Sequence, residues 1–219
     1  MDIQEFKRLL AQRQGDFSGV DLSRLNLEDF DLHFFMFRYA NLSNTNFNRA
    51  NLQGSHFSQA DFTSAKFLEA DLSNSNLSYA DLSRVNLTRA TVMYANISFS
   101  KITQAELVDA ELSYSNFSYS NLNRSCLKKT NLKGARLDKA YLRYVDLVNA
   151  NLEGASLQYS ELTDANLEGV NLAGAELKYT NLEGTNLRGA NLTNAILENT
   201  DLTKALFSNT IMPDGSIRD

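Results

Sequence analysis

Hydrophobic residues recur at every fifth position along almost the whole chain of 219 residues. From Phe17 to Met212, all 40 positions at this spacing are Leu, Phe, Ile, Val or Met, and no insertion interrupts the series. A period of five matches neither the roughly 3.6 residues per turn of an amphipathic helix nor the alternation of a half-buried strand. The chain must therefore turn every few residues, and we call the residues at these positions the centres of the repeat.

The residues beside the centres follow the same repeat. Two positions before the centre, 32 of the 35 positions from Ala40 to Thr210 hold Ala, Ser or Thr. One position before the centre, 24 of the 39 positions from Asp16 to Leu206 hold Asn or Asp, as in the segments ANLSN, ADLSN and ANLEG. Each pentapeptide thus has one large and one small residue suited to the inside of a narrow tube, and polar residues suited to its outside.

A second period, four times as long, predicts how many pentapeptides make one coil. Two series of residues, both two positions after a centre, follow it. The aromatic series is Tyr39, Tyr79, Phe99, Tyr119, Tyr159 and Tyr179, with Gln59 and Lys139 at the intervening steps, and the series that alternates in charge is Asp29, Arg49, Glu69, Arg89, Asp109 and Lys129. Twenty residues per coil predict four sides per coil and about ten coils, with the charged series favouring correct stacking of one coil on the next.

This repeat resembles the pentapeptide-repeat family over nearly the whole chain, and the ending IMPDGSIRD resembles cyanobacterial members of that family. The resemblance implies an all-β solenoid, a right-handed quadrilateral parallel β-helix. Eight of the ten glycines lie two positions after a centre, where a type II turn needs a residue that tolerates positive φ, and six of these lie after residue 130. We therefore expect sharper corners in the C-terminal half, and wider turns where Arg, Tyr or Asp occupies that position.

The two ends of the repeat differ in how they can be closed. Residues 1–14 predict a capping α-helix, because Asp2 and Glu5 form a capping-box pattern and Gly15 can end the helix. Its apolar stripe is Ile3, Phe6, Leu9 and Leu10, and the large inward residues predicted beneath it are Val20, Leu25, Phe30 and Phe35. The β-helix is expected over residues 15–212 and a short polar tail over 213–219, together forming one domain. The weakly capped C-terminal end predicts either a monomer or a dimer formed end to end.

The composition excludes several classes of protein. The net charge is −5, which argues against direct nucleic-acid binding, and an apolar fraction of 43% argues against disorder. The lone Cys126 excludes an internal disulfide framework. Neither a signal peptide nor a membrane span of about 20 apolar residues is evident, so we expect a soluble, cytoplasmic protein that does not contact membranes.

No pattern in the sequence indicates an enzyme. An unbroken tube without loop insertions offers no concave pocket in which polar groups could converge on a substrate. His33, His56 and Cys126 are the residues most suited to catalysis or metal binding, and they are predicted to lie far apart on this fold. We therefore expect no catalytic residues, no metal site and no cofactor.

One side of the tube is predicted to carry an uncharged aromatic patch. Tyr79, Phe99 and Tyr119 line one of its corners, and Tyr94 and Tyr114 line the preceding corner. The outward positions between the corners, which include Asn96 and Ser98, are all Asn or Ser. A neutral area edged by aromatic residues is typical of protein–protein contacts, although the same rings could simply stack and stiffen a corner.

The charged residues are unevenly distributed along the chain. Residues 123–145 carry seven basic side chains and one acidic, whereas residues 146–201 carry two basic and nine acidic. The basic belt consists of Arg124, Lys128, Lys129, Lys133, Arg136, Lys139 and Arg143. Because it spans only about one coil, it is too narrow for a duplex-binding stripe, and a solvated belt is the simpler interpretation.

The sequence thus favours a non-enzymatic, rigid rod that acts as a regulatory or interaction module for an unidentified protein partner. The family resemblance implies an alternative, since some members mimic the shape and charge of DNA and act on DNA gyrase. The acidic segment 146–201 has the local charge density for this, whereas the net charge of the whole chain is too small. An inert structural spacer is a third hypothesis.

Overall fold

The computed structural model describes residues 1–12 and 14–219, and its main feature is a ladder of parallel bridges between residues 20 positions apart. The bridges recur at every fifth position, from the pair Asp16 and Met36 to the pair Asn191 and Ile211. Each joins one side of a four-sided unit to the same side of the next unit. The period of four pentapeptides per coil predicted from the sequence is confirmed.

Each pentapeptide makes the same backbone hydrogen bonds to its neighbours. The N–H of a centre donates to a carbonyl in the next coil, as from Phe37 to His56 at 2.8 Å. The N–H before a centre donates to a carbonyl in the preceding coil, as from Asn41 to Val20 at 2.9 Å. The extended part of each side is too short to form a regular strand, so the coil is held by one bridge per side.

The corner residues all adopt a left-handed backbone conformation, whatever their side chain. At all 39 positions from Gly19 to Asn209 that lie two residues after a centre, φ is positive, between 51° and 63° for the 31 non-glycine residues and between 63° and 71° for the glycines. The expectation of wider turns at Arg, Tyr or Asp is therefore wrong. The stacked coils impose the type II-like turn everywhere, and glycine only lowers its local cost.

The core is a continuous column of centres. All 36 centres from Phe17 to Leu192 are buried, and the small residues two positions earlier fill the space between them. Among the described residues, every inward Ser and Thr hydroxyl except that of Ser75 donates to a backbone carbonyl, as in the 2.9 Å bond from Thr45 to Leu22. Asn and Asp before the centres face outward, where the side-chain oxygen accepts the N–H two residues later, as from Ser23 to Asp21 at 2.9 Å. This local bond explains the preference for Asn and Asp at that position.

The helix α1 (Ile3–Ala11) lies against the first coils. Phe6 is fully buried, and its ring lies 4.8 Å from that of Phe17 and 6.2 Å from that of Phe30. The remaining apolar residues predicted at this junction pack against the same core: Ile3, Leu9, Leu10, Val20, Leu25 and Phe35.

The ends of α1 differ from the prediction. Asp2 caps the helix by accepting the N–H of Glu5 at 2.8 Å, but the Glu5 carboxylate binds Arg8 and does not complete a capping box. The helix ends at Ala11, with Gln12 as its C-cap, and does not continue to Gly15. Position 13 of the predicted cap lies outside the described residues.

The C-terminal residues form a small antiparallel hairpin of β1 (Thr210–Ile211) and β2 (Ile217–Arg218). Arg218 lies over the ring of Phe207, 3.7 Å from its centroid. The tail predicted over 213–219 thus contains no helix, and its last residues pair with the end of the repeat for a local reason. Pro213, Asp214 and Gly215 form the turn, a combination that favours chain reversal, and the hairpin partly covers the last centres.

Candidate protein-binding face

One side of the coil brings the predicted aromatic residues together in two rows. In the first row, Tyr79 stacks on Phe99 with ring centroids 4.9 Å apart, and Phe99 stacks on Tyr119 at 4.7 Å. In the second row, Tyr94 stacks on Tyr114 at 5.3 Å. The left-handed corner residues direct both rows outward, and all five rings are exposed.

The floor between the two rows is polar and lies below them. It consists of Asn76, Ser78, Asn96, Ser98, Asn116 and Ser118. The serines are at most 9% exposed, whereas the aromatic residues beside them are 45–58% exposed. Asn96 accepts hydrogen bonds from the N–H and hydroxyl of Ser98, at 3.2 and 2.8 Å. The structure thus brings all seven residues predicted for this site into one shallow, uncharged trough. We use the name aromatic face for this trough together with the rest of the same side of the rod, which is described next.

The aromatic face extends farther than the sequence analysis predicted. Of the 17 large apolar side chains that are exposed in the described part of the chain, 11 lie on this one side. Besides the five aromatic residues already named, these are Phe34, Met36, Tyr39, Tyr159, Tyr179 and Ile196. Each lies one or more whole coils from a member of the predicted patch or its floor, so the same period could have identified them.

Lys139 continues the first row of rings. Its Nζ donates to the hydroxyl oxygen of Tyr119 at 2.9 Å and lies 5.0 and 5.8 Å from the ring centroids of Tyr119 and Tyr159. The hydrogen bond with Tyr119 raises the pKa of Lys139, which keeps the ammonium charged. Tyr159 then stacks on Tyr179 at 4.8 Å, so the row is unbroken from Tyr79 to Tyr179.

The rest of the basic belt is largely compensated by neighbouring groups. Four of its members pair with carboxylates: Lys128 with Asp146 at 2.9 Å, Lys133 with Glu153 at 3.0 Å, Arg136 with Asp138 at 3.6 Å, and Arg143 with Glu161 at 3.3 Å. Arg124 lies over the ring of Tyr144, 5.3 Å from its centroid. Lys129 has no ion-pair partner among the described residues. The belt is therefore not a continuous cationic surface, and its members lie on all four sides.

The alternating charge series pairs at only some of its steps. Arg49 makes two hydrogen bonds of 2.8 Å to Asp29, and Arg89 contacts Glu69 at 2.6 Å. No ion pair joins Asp109 to Lys129 within the described residues. Because these pairs are exposed, each is worth about 0–1 kcal/mol at most.

The chemically reactive side chains do not converge. His33 contacts Asp31 at 2.6 Å, whereas His56 and Cys126 lie on other coils. Burial raises the pKa of the Cys126 thiol, which makes it a poorer nucleophile. In residues 1–12 and 14–219, no group of three or more His, Cys, Asp or Glu side chains is placed to hold a metal ion. None of the helices found there is long and apolar enough to cross a bilayer.

Comparison with known proteins agrees with the repeat geometry. Pentapeptide-repeat profiles match residues 16–54, 135–174 and 171–209, and a pentapeptide repeat region matches residues 45–117. Curated protein sequences gave no significant match.

Two solved structures illustrate the likeness. HetL, a pentapeptide repeat protein involved in heterocyst differentiation regulation in the cyanobacterium Nostoc sp. strain PCC 7120, is 32% identical, with 100% of each chain covered and a TM-score of 0.69. QnrB1, a plasmid-mediated fluoroquinolone resistance protein, is 16% identical over 89% of this chain and 94% of its own, with a TM-score of 0.53, and shows the fold alone. The profile matches and the full-length similarity to HetL show that this chain belongs to the pentapeptide-repeat family.

Proposed function

We propose that this protein is a non-enzymatic interaction module that docks a partner protein on its aromatic face. The scaffold we propose for it is a single right-handed rod of about ten coils, acting in the cytoplasm as a monomer or an end-to-end dimer. The observation that carries the proposal is the concentration of exposed apolar side chains on one side, since 11 of 17 in the described chain lie there. A rod without a binding side would distribute such residues over all four sides.

Stacking of the rings and docking of a partner are compatible on this face. The rings of Tyr79, Phe99 and Tyr119 face one another along the rod axis, and all three side chains are exposed. A stacked row is rigid before binding, which lowers the entropy lost when a partner docks on it. Exposed aromatic residues around a neutral, partly covered floor match the composition of interface centres.

The similarity to HetL supports a regulatory rather than a purely structural role. HetL is involved in the regulation of differentiation, and it is similar to this chain over the full length of both. A protein that regulates without catalytic groups acts through binding, which is what the aromatic face offers.

The proposal is tested by affinity capture from native extract, followed by mass spectrometry. The bait proteins are the wild type, the triple variant Tyr79→Ser/Phe99→Ser/Tyr119→Ser, and the control Tyr141→Ser/Tyr144→Ser. Tyr141 and Tyr144 are as exposed as the face residues but lie on other sides of the coil. Circular dichroism first establishes that each variant is folded.

The expected result is a partner that is retained by the wild type and the control but lost from the triple variant. A partner that all three proteins retain would contradict the proposal. Capture of no partner by any of them would favour the inert spacer.

A DNA-mimic modulator of gyrase is a second candidate, and the ion pairs weaken it. Of the nine carboxylates in residues 146–201, five pair with Lys or Arg. The carboxylates outside such pairs, Asp164, Glu168, Glu176 and Asp201, form no row along the axis that could imitate a phosphate backbone. Supercoiling by gyrase that is unchanged at micromolar protein would exclude this candidate.

A further inference from the structure

The aromatic face has a net positive charge, unlike the rest of the protein. From Phe34 to Tyr159, its outward positions carry Arg38, Arg136 and Lys139 against the single carboxylate of Asp138. The net charge of this stretch is thus +2, and it is +1 when Glu176, Lys178 and Glu198 on the last two coils are included, whereas that of the whole chain is −5. A partner that matches this side would carry negative charge.

Two of the three cations line a depression at the C-terminal end of the trough. The depression has a volume of about 270 Å³ and is lined by Ser118, Tyr119, Arg136, Asp138, Lys139, Gln158 and Tyr159. Ser118 is only 6% exposed, and its hydroxyl has no protein hydrogen-bond partner among the described residues. Ser118 forms part of the floor of this open surface depression.

The cations of the depression keep donors free for a ligand. Asp138 accepts hydrogen bonds from the Ser156 hydroxyl and from the N–H of Gln158, so its contact with Arg136 is a longer one of 3.6 Å. The Arg136 side chain remains 65% exposed. Lys139 uses one of its three donors on Tyr119, and the ammonium is held above the floor by the two flanking rings.

We propose that this depression is an anchor for a carboxylate in an acidic segment of the partner protein. Arg136 would bind the carboxylate through its planar fork, and Lys139 would supply a second charge. The remainder of the segment would follow the trough toward Tyr79, where the floor is neutral. This inference rests on the proposed function and specifies the chemistry of the partner.

The surroundings favour a carboxylate over a phosphate. Asp138 lines the depression and would repel a doubly charged group more than a singly charged one. A nucleic acid would need cations at regular intervals along the rod, and the coils that carry Asn76, Asn96 and Asn116 on this side have none.

The test uses a library of random 16-residue peptides displayed on phage and selected on the immobilised full-length protein. We expect the selected peptides to be enriched in Asp and Glu. Their affinity should fall at least tenfold for the variant Arg136→Glu/Lys139→Glu. It should be unchanged for Lys129→Glu, which makes the same kind of charge change at the diagonally opposite corner. A single-stranded oligonucleotide and inorganic phosphate serve as competitors, and neither should displace the peptides at concentrations near the peptide Kd.

The outcomes separate this inference from the proposed function. Selected peptides without acidic enrichment, no selected peptides, equal losses in the two charge variants, or displacement by the oligonucleotide or phosphate would each overturn the anchor. A native partner that is lost from the triple aromatic variant but retained by Arg136→Glu/Lys139→Glu would refute the anchor alone. A native partner retained by the triple variant would refute the proposed function itself.

Discussion

The ring of Tyr114 lies directly over Gly134, one coil farther along the same corner. A Cβ atom built at Gly134 would lie 2.6 Å from Cε1 of Tyr114, closer than any non-bonded contact allows. The second row of the aromatic face therefore ends on a glycine, and the absence of a side chain there lets the Tyr114 ring lie flat.

Gly134→Ala should displace Tyr114 and weaken its stacking on Tyr94. Gly154→Ala is the matched control, because Gly154 has the same φ of +63° and a Cβ atom added there would meet nothing within 4 Å. Both variants incur the cost of a left-handed alanine, but only Gly134→Ala loses ring contacts. We expect it to be less stable than Gly154→Ala by about 0.5–1.5 kcal/mol, the usual value of an aromatic pair. Equal unfolding free energies in urea would show that the contact has no energetic role.

Phe99 should contribute more to stability than its exposure suggests, because it stacks on two rings. Removing both pairs in Phe99→Ala should cost about 1–3 kcal/mol of unfolding free energy. Gln59→Ala, at the same corner but without a stacked ring, should change the free energy of unfolding by less than about 0.5 kcal/mol. A loss for Phe99→Ala as small as that of the control would mean that the rings stack without stabilising the fold.

The middle of the rod has a local weakness where the centres are β-branched. Val92, Ile97 and Ile102 are the three such centres in the chain. At most described corners, the N–H three residues after a centre donates to the carbonyl of that centre, for example from Ala90 to Leu87 at 3.0 Å. This bond is missing at all three β-branched centres, and also at Leu32. After Leu32 and Ile102 the N–H donates instead to a serine hydroxyl one coil farther along. The three centres lie in the middle of the ten centres, Leu72 to Phe117, that line a small void of about 10 Å³. The branched side chains have restricted χ1 angles and fill the column less completely than Leu.

Hydrogen exchange can detect this weakness. The amides of Ala95 and Ser100, which lack the corner bond, should exchange faster than the amide of Ala90, which has it. Val92→Leu should fill part of the void, raise the free energy of unfolding by about 0.5–1 kcal/mol and slow exchange at Ala95. Uniform exchange along the rod, together with no gain from Val92→Leu, would contradict this account.

Acid should destabilise the rod through its outward aspartates. Hydrogen bonds from the side chain and backbone of Ser23 lower the pKa of Asp21, and Thr203 does the same for Asp201. Because the folded pKa is lower than the ordinary value of 3.8, this stabilisation is complete above about pH 4 and is lost as the pH falls through the folded pKa.

The variant Asp21→Asn/Asp201→Asn should reduce this pH dependence. An amide oxygen accepts the same bond without titrating, as Asn41 does from the N–H of Ser43 at 3.2 Å. Thermal unfolding between about pH 5 and pH 3 should therefore shift less in the variant than in the wild type. An identical shift in both proteins would assign the acid sensitivity to other groups.

The repeat was predictable from the sequence because one rule applies at every step. The centres Phe17 to Leu192 need burial, and a period of five with a second period of 20 leaves one way to provide it. The positions of Tyr79, Phe99 and Tyr119 followed from the same register. The corners were mispredicted because intrinsic preferences of Arg, Tyr and Asp are weaker than the constraint from stacked coils.

The features that were missed depend on individual side-chain contacts. Nothing in the period distinguishes a close ion pair, such as Lys133 with Glu153 at 3.0 Å, from a longer one that leaves the side chain 65% exposed, such as Arg136 with Asp138 at 3.6 Å. The depression around Ser118 is formed with residues that lie one and two coils later, such as Asp138 and Gln158. This relationship is visible only once the coils are stacked.

The most direct test of the central claim is an NMR titration. The protein carries carbon-13 in its tyrosine rings, and the captured partner is added to it unlabelled. The nine tyrosines report on both the proposed face and the other sides. We predict that the signals of Tyr79, Tyr94, Tyr114 and Tyr119 shift or broaden on binding, whereas those of Tyr141 and Tyr144 do not. Perturbation confined to Tyr141 and Tyr144, with the other four unchanged, would place the partner on another side and contradict the account.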